Sequence, residues 1–347
     1  MKDAIVVNNL RKEFRVYSSR PGLAGAFRDL LNRQSKIVPA VKDISFTVKQ
    51  GEMVGYIGEN GAGKSTTIKM LTGILSPTSG TVRVNGMDPH KEREKFVKTI
   101  GVVFGQRSQL WWDIAVQESF RLLKKVYNVP DDLYEDHMEL IIRTLDIEPL
   151  LDKPVRKLSL GQRMRCELAA ALIHNPKLLF LDEPTIGLDV LVKVKIRQFL
   201  KEINERYNTT ILLTTHDLSD IEALCERVVM LDEGQIIYDG SLLQLKQNWG
   251  DQKIIHMKFL DDIPVEVLQM HTDSVAQQKW MYDEKEQRYS IVLGADEEVI
   301  SQLIKHVVEA FPIKDIHIEE TSTEDIIQKI YEKGSAENDN KAAKAIG

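Results

Sequence analysis

The chain has 347 residues, with 46 Lys plus Arg against 52 Asp plus Glu and a formal net charge of −6 at pH 7. At about 150 residues per domain, this length predicts two or three domains, and a hydrophobic fraction of 43% excludes wholesale disorder. The acidic balance argues against nucleic-acid binding and two cysteines cannot form a disulfide framework. Because no segment has the pattern of a bilayer span or signal peptide, we expect a soluble, cytosolic protein.

Apolar segments alternate with helical patterns over the first 240 residues. Residues 4–7 and 45–48 have the pattern of short strands, and residues 53–57 have that of a buried strand followed by a glycine-rich turn and a helix. Residues 116–151 are mostly helical in pattern, and further buried strands are predicted at residues 178–181 and 210–215. Strands that alternate with helices predict a parallel sheet in an α/β architecture.

The pattern changes after Gly240. Strands are predicted at residues 253–260, 288–293 and 315–320, and a helix at residues 297–311, so residues 251–331 are interpreted as a small separate α/β module. The polar tail at residues 334–347 is predicted to be disordered. In the module we expect the methionines to fill the core and the histidines to be ordinary surface or packed residues without metal-ligand spacing; these are Met257, Met270, Met281, His256, His271, His306 and His317.

Residues 58–65 read GENGAGKS and match the phosphate-loop pattern G-x-x-x-x-G-K-[ST] between a predicted strand and a predicted helix. The glycines let backbone N–H groups surround phosphate oxygens, and the helix adds its positive dipole end. We expect Lys64 to neutralise the β- and γ-phosphates and Ser65 to coordinate Mg²⁺. The candidate nucleotide-binding residues of this segment are Gly58, Glu59, Asn60, Gly61, Ala62, Gly63, Lys64, Ser65 and Thr66.

Two acids follow the apolar strand predicted at residues 178–181. The carboxyl ends of parallel strands face the nucleotide crevice, so Asp182 is placed to hold Mg²⁺ directly or through water. Glu183 is a candidate general base that polarises the attacking water. A charged turn after a core strand is the alternative interpretation.

Further motifs make the sequence resemble the ATP-binding cassette (ABC) family over about residues 4–240. Residues 158–163, LSLGQR, resemble the LSGGQ signature, with Leu160 where Gly is commonest. Gln106 matches the Q-loop glutamine, residues 187–189 match the D-loop, and His216 in LLTTHD matches the switch histidine. The resemblance implies an α/β, P-loop NTPase ABC-type nucleotide-binding domain at residues 1–245, with a helical signature subdomain at about residues 107–175.

The resemblance also implies roles for these residues. Ser159, Gly161 and Gln162 open a helix whose positive end faces the γ-phosphate bound by a second cassette. Gln106 contacts Mg²⁺ or the attacking water, and His216 holds the γ-phosphate. Asp189 links the two sites across a head-to-tail dimer, formed with a second copy or a homologous cassette; taken alone, it is an ordinary helix N-cap.

Family cassettes stack adenine on an aromatic residue near the N-terminus. The resemblance makes Phe14 the preferred candidate, with Tyr17 as its competitor and core packing as the alternative for both.

The segment FGQRSQLWWD resembles cassettes of bacterial ABC-2-type exporters, which pair with separate membrane subunits. We therefore expect an ATPase with ATP and Mg²⁺ as cofactors, ABC-2-type permease subunits as partners, and a place on the cytoplasmic face of the membrane through the permease. Trp111 and Trp112 are interpreted either as a contact surface for the permease or as buried residues of the helical subdomain. The basic insertion at residues 18–37 is either an amphipathic helix or a solvated loop.

Two competing functions have weaker support. A soluble ABC ATPase in translation or DNA repair is disfavoured, because such members generally carry two cassettes or a long coiled coil. A non-hydrolysing regulatory protein conflicts with the presence of Glu183 and His216.

Overall fold

The computed structural model describes residues 2–17, 35–105, 107–250, 252–276, 278–294 and 296–332. The chain divides into two compact units, Met1–Ser241 and Leu242–Gly347. Most of the basic insertion predicted at residues 18–37, and all of the tail at residues 334–347, lie outside the described residues. Within the described part, no helix is both long enough and apolar enough to cross a bilayer.

The first unit begins with a three-stranded antiparallel sheet of order β2-β1-β4. Its strands are β1 (Asp3–Tyr17), β2 (Ser35–Lys49) and β4 (Ser79–Val84). The prediction of short strands at residues 4–7 and 45–48 is wrong in length, since β1 and β2 each have 15 residues. Their outer halves, where Tyr17 pairs with Ser35, are exposed and lack the alternation that marks a half-buried strand, so sequence patterning misses them.

A second, six-stranded sheet forms the centre of this unit. Its strands in order are β5 (Ile100–Phe104), β6 (Leu178–Asp182), β7 (Thr210–Thr214), β3 (Met53–Gly58), β8 (Arg227–Asp232) and β9 (Gln235–Ser241). The first five are parallel, which confirms the predicted parallel sheet, and β9 joins as an antiparallel edge. The apolar side chains of β6 and β7 are buried on both faces, as expected when helices and a second sheet cover a parallel sheet. Phe46 of β2 and Tyr56 of β3, with ring centroids 5.6 Å apart, belong to the core that the two sheets share.

The helices of the first unit are α1 (Lys64–Leu71), α2 (Arg93–Val97), α3 (Val116–Tyr127), α4 (Asp131–Leu145), α5 (Leu160–Leu172), α6 (Val190–Tyr207) and α7 (Leu218–Leu224). The helical prediction for residues 116–151 is confirmed in the main, with breaks that its pattern does not show. Asn128 and Asp146, with φ of 55° and 52°, end α3 and α4 in the left-handed conformation that asparagine and aspartate tolerate.

The second unit is a four-stranded antiparallel sheet of order β11-β12-β10-β13 with helices packed on it. Its elements are α8 (Leu242–Trp249), β10 (Gln252–Phe259), α9 (Val265–Thr272), β11 (Met281–Asp283), β12 (Arg288–Gly294), α10 (Glu297–Ala310) and β13 (Ile313–Glu320), followed by helical residues 323–332.

The core expectation for the methionines of this unit holds only for Met257, which is fully buried. It is wrong for Met270 and Met281, whose exposed fractions are 79% and 56%. Met270 follows buried Leu268 by two residues and so faces away from the core, and Met281 lies on the edge strand β11. His256 is buried, with Nδ1 2.7 Å from Ser290 Oγ and Nε2 2.8 Å from Glu319 Oε2.

Candidate functional site

The turn between β3 and α1 wraps around the ammonium group of Lys64. Nζ donates hydrogen bonds of 2.6 Å to the Gly58 carbonyl and 3.0 Å to the Glu59 carbonyl. Gly63 has φ of 106°, and a Cβ there would meet the Ala40 carbonyl oxygen at 2.5 Å, so this position requires glycine. Burial lowers the pKa of Lys64, and the nearby carboxylates of Glu183, Asp182 and Glu59 oppose that shift. The loop therefore holds a positive charge where bound phosphates would need one.

Asp182 is the last residue of β6 and Glu183 follows it, and both are held by Thr214 of the neighbouring strand β7. Thr214 Oγ1 donates a 2.6 Å hydrogen bond to Asp182 Oδ1, and Ser65 Oγ lies 3.5 Å from the same carboxylate oxygen. Glu183 takes a left-handed φ of 55°, and its N–H donates to the Thr214 carbonyl at 3.0 Å. This turn brings Glu183 Oε1 within 2.6 Å of Nε2 of the exposed His216. The predicted magnesium ligand, base and histidine thus lie at one edge of the sheet.

A cavity of about 520 Å³ opens at this edge. Its lining includes Asn60, Ser65, Lys69, Ile74, Phe104, Gly105, Arg107, Asp182, Glu183, Ile186 and His216. It lies at the carboxyl ends of β5 and β6 and beside the loop after β3, where open α/β sheets bind ligands. Gln106 lies outside the described residues, although both of its neighbours line the cavity, so its role stays a prediction.

Sequence reasoning missed Thr214 and Arg107. Thr214 is the register partner of Asp182, a relation that needs the strand order. Arg107 lies within the segment FGQRSQLWWD, but nothing in the sequence indicates that it lines the cavity.

The signature segment begins α5 as expected. Ser159 is the N-cap: its Oγ accepts from Gln162 N at 3.3 Å, and Gln162 Oε1 accepts from Ser159 N at 3.0 Å, which completes a capping box. A Cβ on Gly187 would lie 3.2 Å from Leu160 Cδ2, so the leucine that departs from the signature pattern reaches the D-loop. Ser159, Gly161 and Gln162 do not line the cavity of their own chain.

The predicted dimer contact Asp189 and the two candidate adenine-stacking residues lie outside the cavity lining. Asp189 is the N-cap of α6 and accepts from Val192 N at 3.0 Å. Phe14 and Tyr17 are exposed on β1, and Lys12 Nζ lies 5.3 Å from the Phe14 ring centroid. Neither aromatic residue lines the cavity, and the preference for Phe14 stays a prediction.

Comparisons with known proteins agree with this geometry. The family described as "ABC transporter" matches residues 41–186. "ABC transporter ATP-binding protein NatA" of Bacillus subtilis is 33% identical over 62% of this chain and 87% of its own length. "Methionine import ATP-binding protein MetN 2" of Enterococcus faecalis is 35% identical over 60% of this chain and 61% of its own length.

Among solved structures, the dimeric post-hydrolysis state of the ATP-binding cassette MJ0796, bound to ADP and Pi, matches with a TM-score of 0.57 and 26% identity. It covers 69% of this chain and 98% of that one. The likeness confirms the expected fold class, an α/β P-loop fold with a mixed sheet core and a helical subdomain.

Proposed function

The chain belongs to the family of ABC transporter ATP-binding proteins and is an ATP-hydrolysing cassette, and on that premise we propose that it powers an ABC-2-type exporter through separate membrane subunits. The contact between Glu183 and His216, beside Lys64 and Asp182, is the observation that carries the hydrolytic part of the proposal. The exporter part is supported by the sequence FGQRSQLWWD. A methionine import protein is as similar as NatA, so the overall identity does not carry the direction of transport.

In the proposed reaction, Lys64 neutralises the phosphates and Glu183 takes a proton from the attacking water. His216 leaves Glu183 to hold the γ-phosphate once ATP occupies the cavity. Ser65 and Asp182 offer hydroxyl and carboxylate oxygens, the ligands that Mg²⁺ prefers, and Gln106 is the third candidate. Ser65 Oγ and Asp182 Oδ1 lie 3.5 Å apart, so these two residues would hold the ion between them. A bound Mg²⁺ would supply charge neutralisation at the β- and γ-phosphates.

The composite site is completed by a second cassette. Because Ser159, Gly161 and Gln162 lie away from the cavity of their own chain, they are free to cover the nucleotide of a head-to-tail partner. The dimeric MJ0796 cassette is a precedent for that assembly in a similar protein. Residues 1–245 are the ATP-binding domain of this proposal, and residues 251–331 are its accessory module.

The membrane partner is proposed to contact Trp111 and Trp112. Both side chains are exposed, by 43% and 52%, so their burial within the helical subdomain, the alternative interpretation, is wrong. Large aromatic side chains exposed side by side are typical of contact surfaces. This contact would place the cassette on the cytoplasmic face of the membrane.

Recovery of the partner tests this assignment. The tagged chain, purified from solubilised membranes of its native cells, is expected to carry an ABC-2-type permease identified by mass spectrometry. Trp111→Ala with Trp112→Ala should lower that recovery about 30-fold, the effect of losing roughly 2 kcal/mol at a contact hot spot, without changing ATP affinity. Val308→Ala, an exposed apolar side chain of the second unit, is the control. Full recovery with the double variant, or recovery of ribosomal or DNA-bound proteins alone, would contradict the proposal.

A further inference from the structure

The segment that follows Gln106 is fastened to α5 by one buried carboxylate. Glu167 has an exposed fraction of 4% and lies in the middle of that helix. Its Oε1 accepts a short hydrogen bond from Ser108 Oγ, and its Oε2 accepts from Gln109 N at 3.1 Å. Its backbone carbonyl accepts from Gln109 Nε2 at 3.0 Å. One residue of α5 therefore binds two consecutive residues of the segment through side chain and backbone.

A second contact continues along the same face of α5. The Arg163 guanidinium lies 5.8 Å from the centre of the Trp112 ring, within the range of a cation–π interaction. Arg163 precedes Glu167 by four residues, and Ser159 precedes Arg163 by four more. Residues with this spacing lie one above another on a helix. Residues 108–112 thus follow the helix face that leads to the signature at its N-terminus.

Packing of the core does not require a carboxyl group at position 167. Its helix neighbours Cys166, Leu168 and Ala169 are fully buried and uncharged, and burial raises the pKa of Glu167 against the hydrogen bonds from Ser108, Gln109 and Leu110. A buried carboxylate has a desolvation cost that an apolar residue of the same size would avoid. The two carboxylate oxygens accept hydrogen bonds from Ser108 and Gln109, so the carboxylate serves to bind this segment.

The segment carries the exposed tryptophan pair and is otherwise anchored within the same subdomain. Trp111 N donates to Ser119 Oγ of α3 at 3.2 Å, and the Trp112 carbonyl accepts from Arg156 N at 3.0 Å. A displacement of the pair is therefore passed to elements that surround α5. Glu167 supplies the hydrogen-bonded connection to α5 itself, beside the cation–π contact of Arg163 with Trp112.

We propose that Glu167 is a positioning residue that couples the segment at residues 108–112 to the signature helix α5, so that movement of Trp111 and Trp112 and movement of Ser159–Gln162 accompany each other. The inference rests on the proposed function, in which the signature closes over a partner's ATP and the tryptophans face the permease. Glu167 touches neither nucleotide nor water in this proposal. It acts through the two segments that it joins.

The coupling can be measured in the full chain without the permease. The parent is Glu183→Gln, in which ATP binds and the closed dimer persists. All tryptophans are replaced biosynthetically by 5-fluorotryptophan, and the ¹⁹F signals of Trp111 and Trp112 are assigned by single Trp→Phe variants. Addition of Mg-ATP to the parent is expected to shift both signals, whereas Mg-ADP is not. If ATP forms no dimer in the parent, the composite-site proposal fails; if the dimer forms but neither signal shifts, the coupling fails.

Glu167→Gln in the parent is then the decisive variant. The amide keeps the size of the side chain but loses the charge and one of its acceptor oxygens, so we expect the shift to fall to less than about a third of the parent's while ATP still forms the dimer. Glu118→Gln, at a partly exposed acid of α3 paired with Arg121 at 2.6 Å, is the matched control and should leave the shift unchanged. An undiminished shift in Glu167→Gln overturns the proposal.

A structural defect is separated from lost coupling by two further measurements. The thermal unfolding midpoint and the affinity for ATP are recorded for each variant, and neither is expected to account for a lost shift. If Glu167→Gln does not fold, Ser108→Ala replaces it, because this change removes one donor and leaves the carboxylate in place. Ser108→Ala should reduce the shift in the same direction, and an unchanged shift overturns the proposal.

Discussion

The position of Lys64 is determined by its surroundings. Its ammonium group is held by two carbonyls of the loop and faces three acids, so it is ordered before any nucleotide arrives. Lys64→Ala should weaken ATP binding about 10- to 150-fold, since a hydrogen bond to a charged group contributes about 1.5–3 kcal/mol. Titration with a fluorescent ATP analogue measures this loss. Lys69→Ala, which removes a charge from the cavity lining but leaves the loop intact, should change affinity far less. Equal losses of ATP affinity in the two variants would show that affinity depends on the total positive charge near the cavity and not on the position of Lys64 in the loop.

His174 contributes to the loss of stability at acid pH. It stacks on Tyr127 with centroids 3.9 Å apart, its Nε2 donates to the Ile100 carbonyl at 2.9 Å, and burial lowers its pKa to about 4. The unfolded chain binds a proton near pH 6.5, so this contribution to stability is complete above that pH and is lost as the pH falls from about 6.5 toward 4. At about 1.4 kcal/mol per pH unit the loss reaches about 3 kcal/mol.

Urea unfolding at pH 7.5 and pH 5 measures that effect. His174→Gln, which retains a donor but does not titrate in this range, should show a smaller fall in stability than the wild type. His306→Gln, a change at an exposed histidine, should not. Burial raises the pKa of Glu167, so its contribution to stability increases as the pH falls, opposite to that of His174. Glu167 is present in all three proteins and therefore does not alter the comparison. The same pH dependence in His174→Gln as in the wild type would rule out this assignment.

At the residue scale, the sequence predicts those site residues that belong to a motif with fixed spacing. Lys64, Asp182, Glu183 and His216 are found this way, and the structure brings them to one edge of the sheet. Thr214, by contrast, depends on strand register, and no local pattern encodes it. Glu167 has a local signal, an acid within an apolar helix face, but its partners become known only when the segment after Gln106 is placed beside α5.

The N-terminal turn of α5 combines a structural cap with a proposed ligand contact. Ser159→Ala removes the cap and should lower stability by about 1 kcal/mol, or Tm by about 2–4 °C. Ser159→Asp keeps an N-cap acceptor and should leave Tm near the wild-type value. In the Glu183→Gln background, however, the added negative charge should prevent ATP-dependent dimerisation, because the proposed partner of this turn is a γ-phosphate.

The comparison of the two Ser159 variants separates the helix cap from the proposed contact with a γ-phosphate. Ser322→Asp, at the serine whose Oγ accepts from Asp325 N at 3.1 Å, places the same change at another helix start and should leave the dimer intact. Light scattering and thermal unfolding give both readouts. If Ser159→Asp dimerises with ATP as the parent does, Ser159 is a cap and does not contact a phosphate.

At the element scale, apolar runs and glycine-rich turns predict the central strands well because both faces of those strands are buried. The outer halves of β1 and β2 are exposed, so the hydrogen bonds between the two strands, and not burial, hold them in an extended conformation. The division of the predicted helical region into α3 and α4 depends on Asn128 in a left-handed conformation, followed by Pro130 at the start of α4. A propensity pattern does not fix such a break, since asparagine adopts several conformations.

At the scale of the molecule, the chain divides between Ser241 and Leu242, and its sequence pattern changes after Gly240. The second unit has its own core around Ile255, Met257 and Leu303, so its stability does not have to come from the ATP-binding unit. The described residues of this unit contain no cluster of His, Cys, Asp and Glu side chains that could hold a metal ion. Its part in the proposed function is accessory, and dimer measurements on the full chain need a control for association through it.

The state of the Glu183→Gln chain in ATP tests the central claim most directly. The amide is a far weaker base than the carboxylate, so ATP should bind without turnover and hold two cassettes together through the composite sites. Light scattering should show a mass of 39.6 kDa in Mg-ADP and twice that mass in Mg-ATP, and the wild type should form the dimer only transiently. The same ATP dependence is expected for residues 1–245, which excludes association through the second unit. A monomer in Mg-ATP, an equal mass in both nucleotides, or hydrolysis at the wild-type rate would contradict the account.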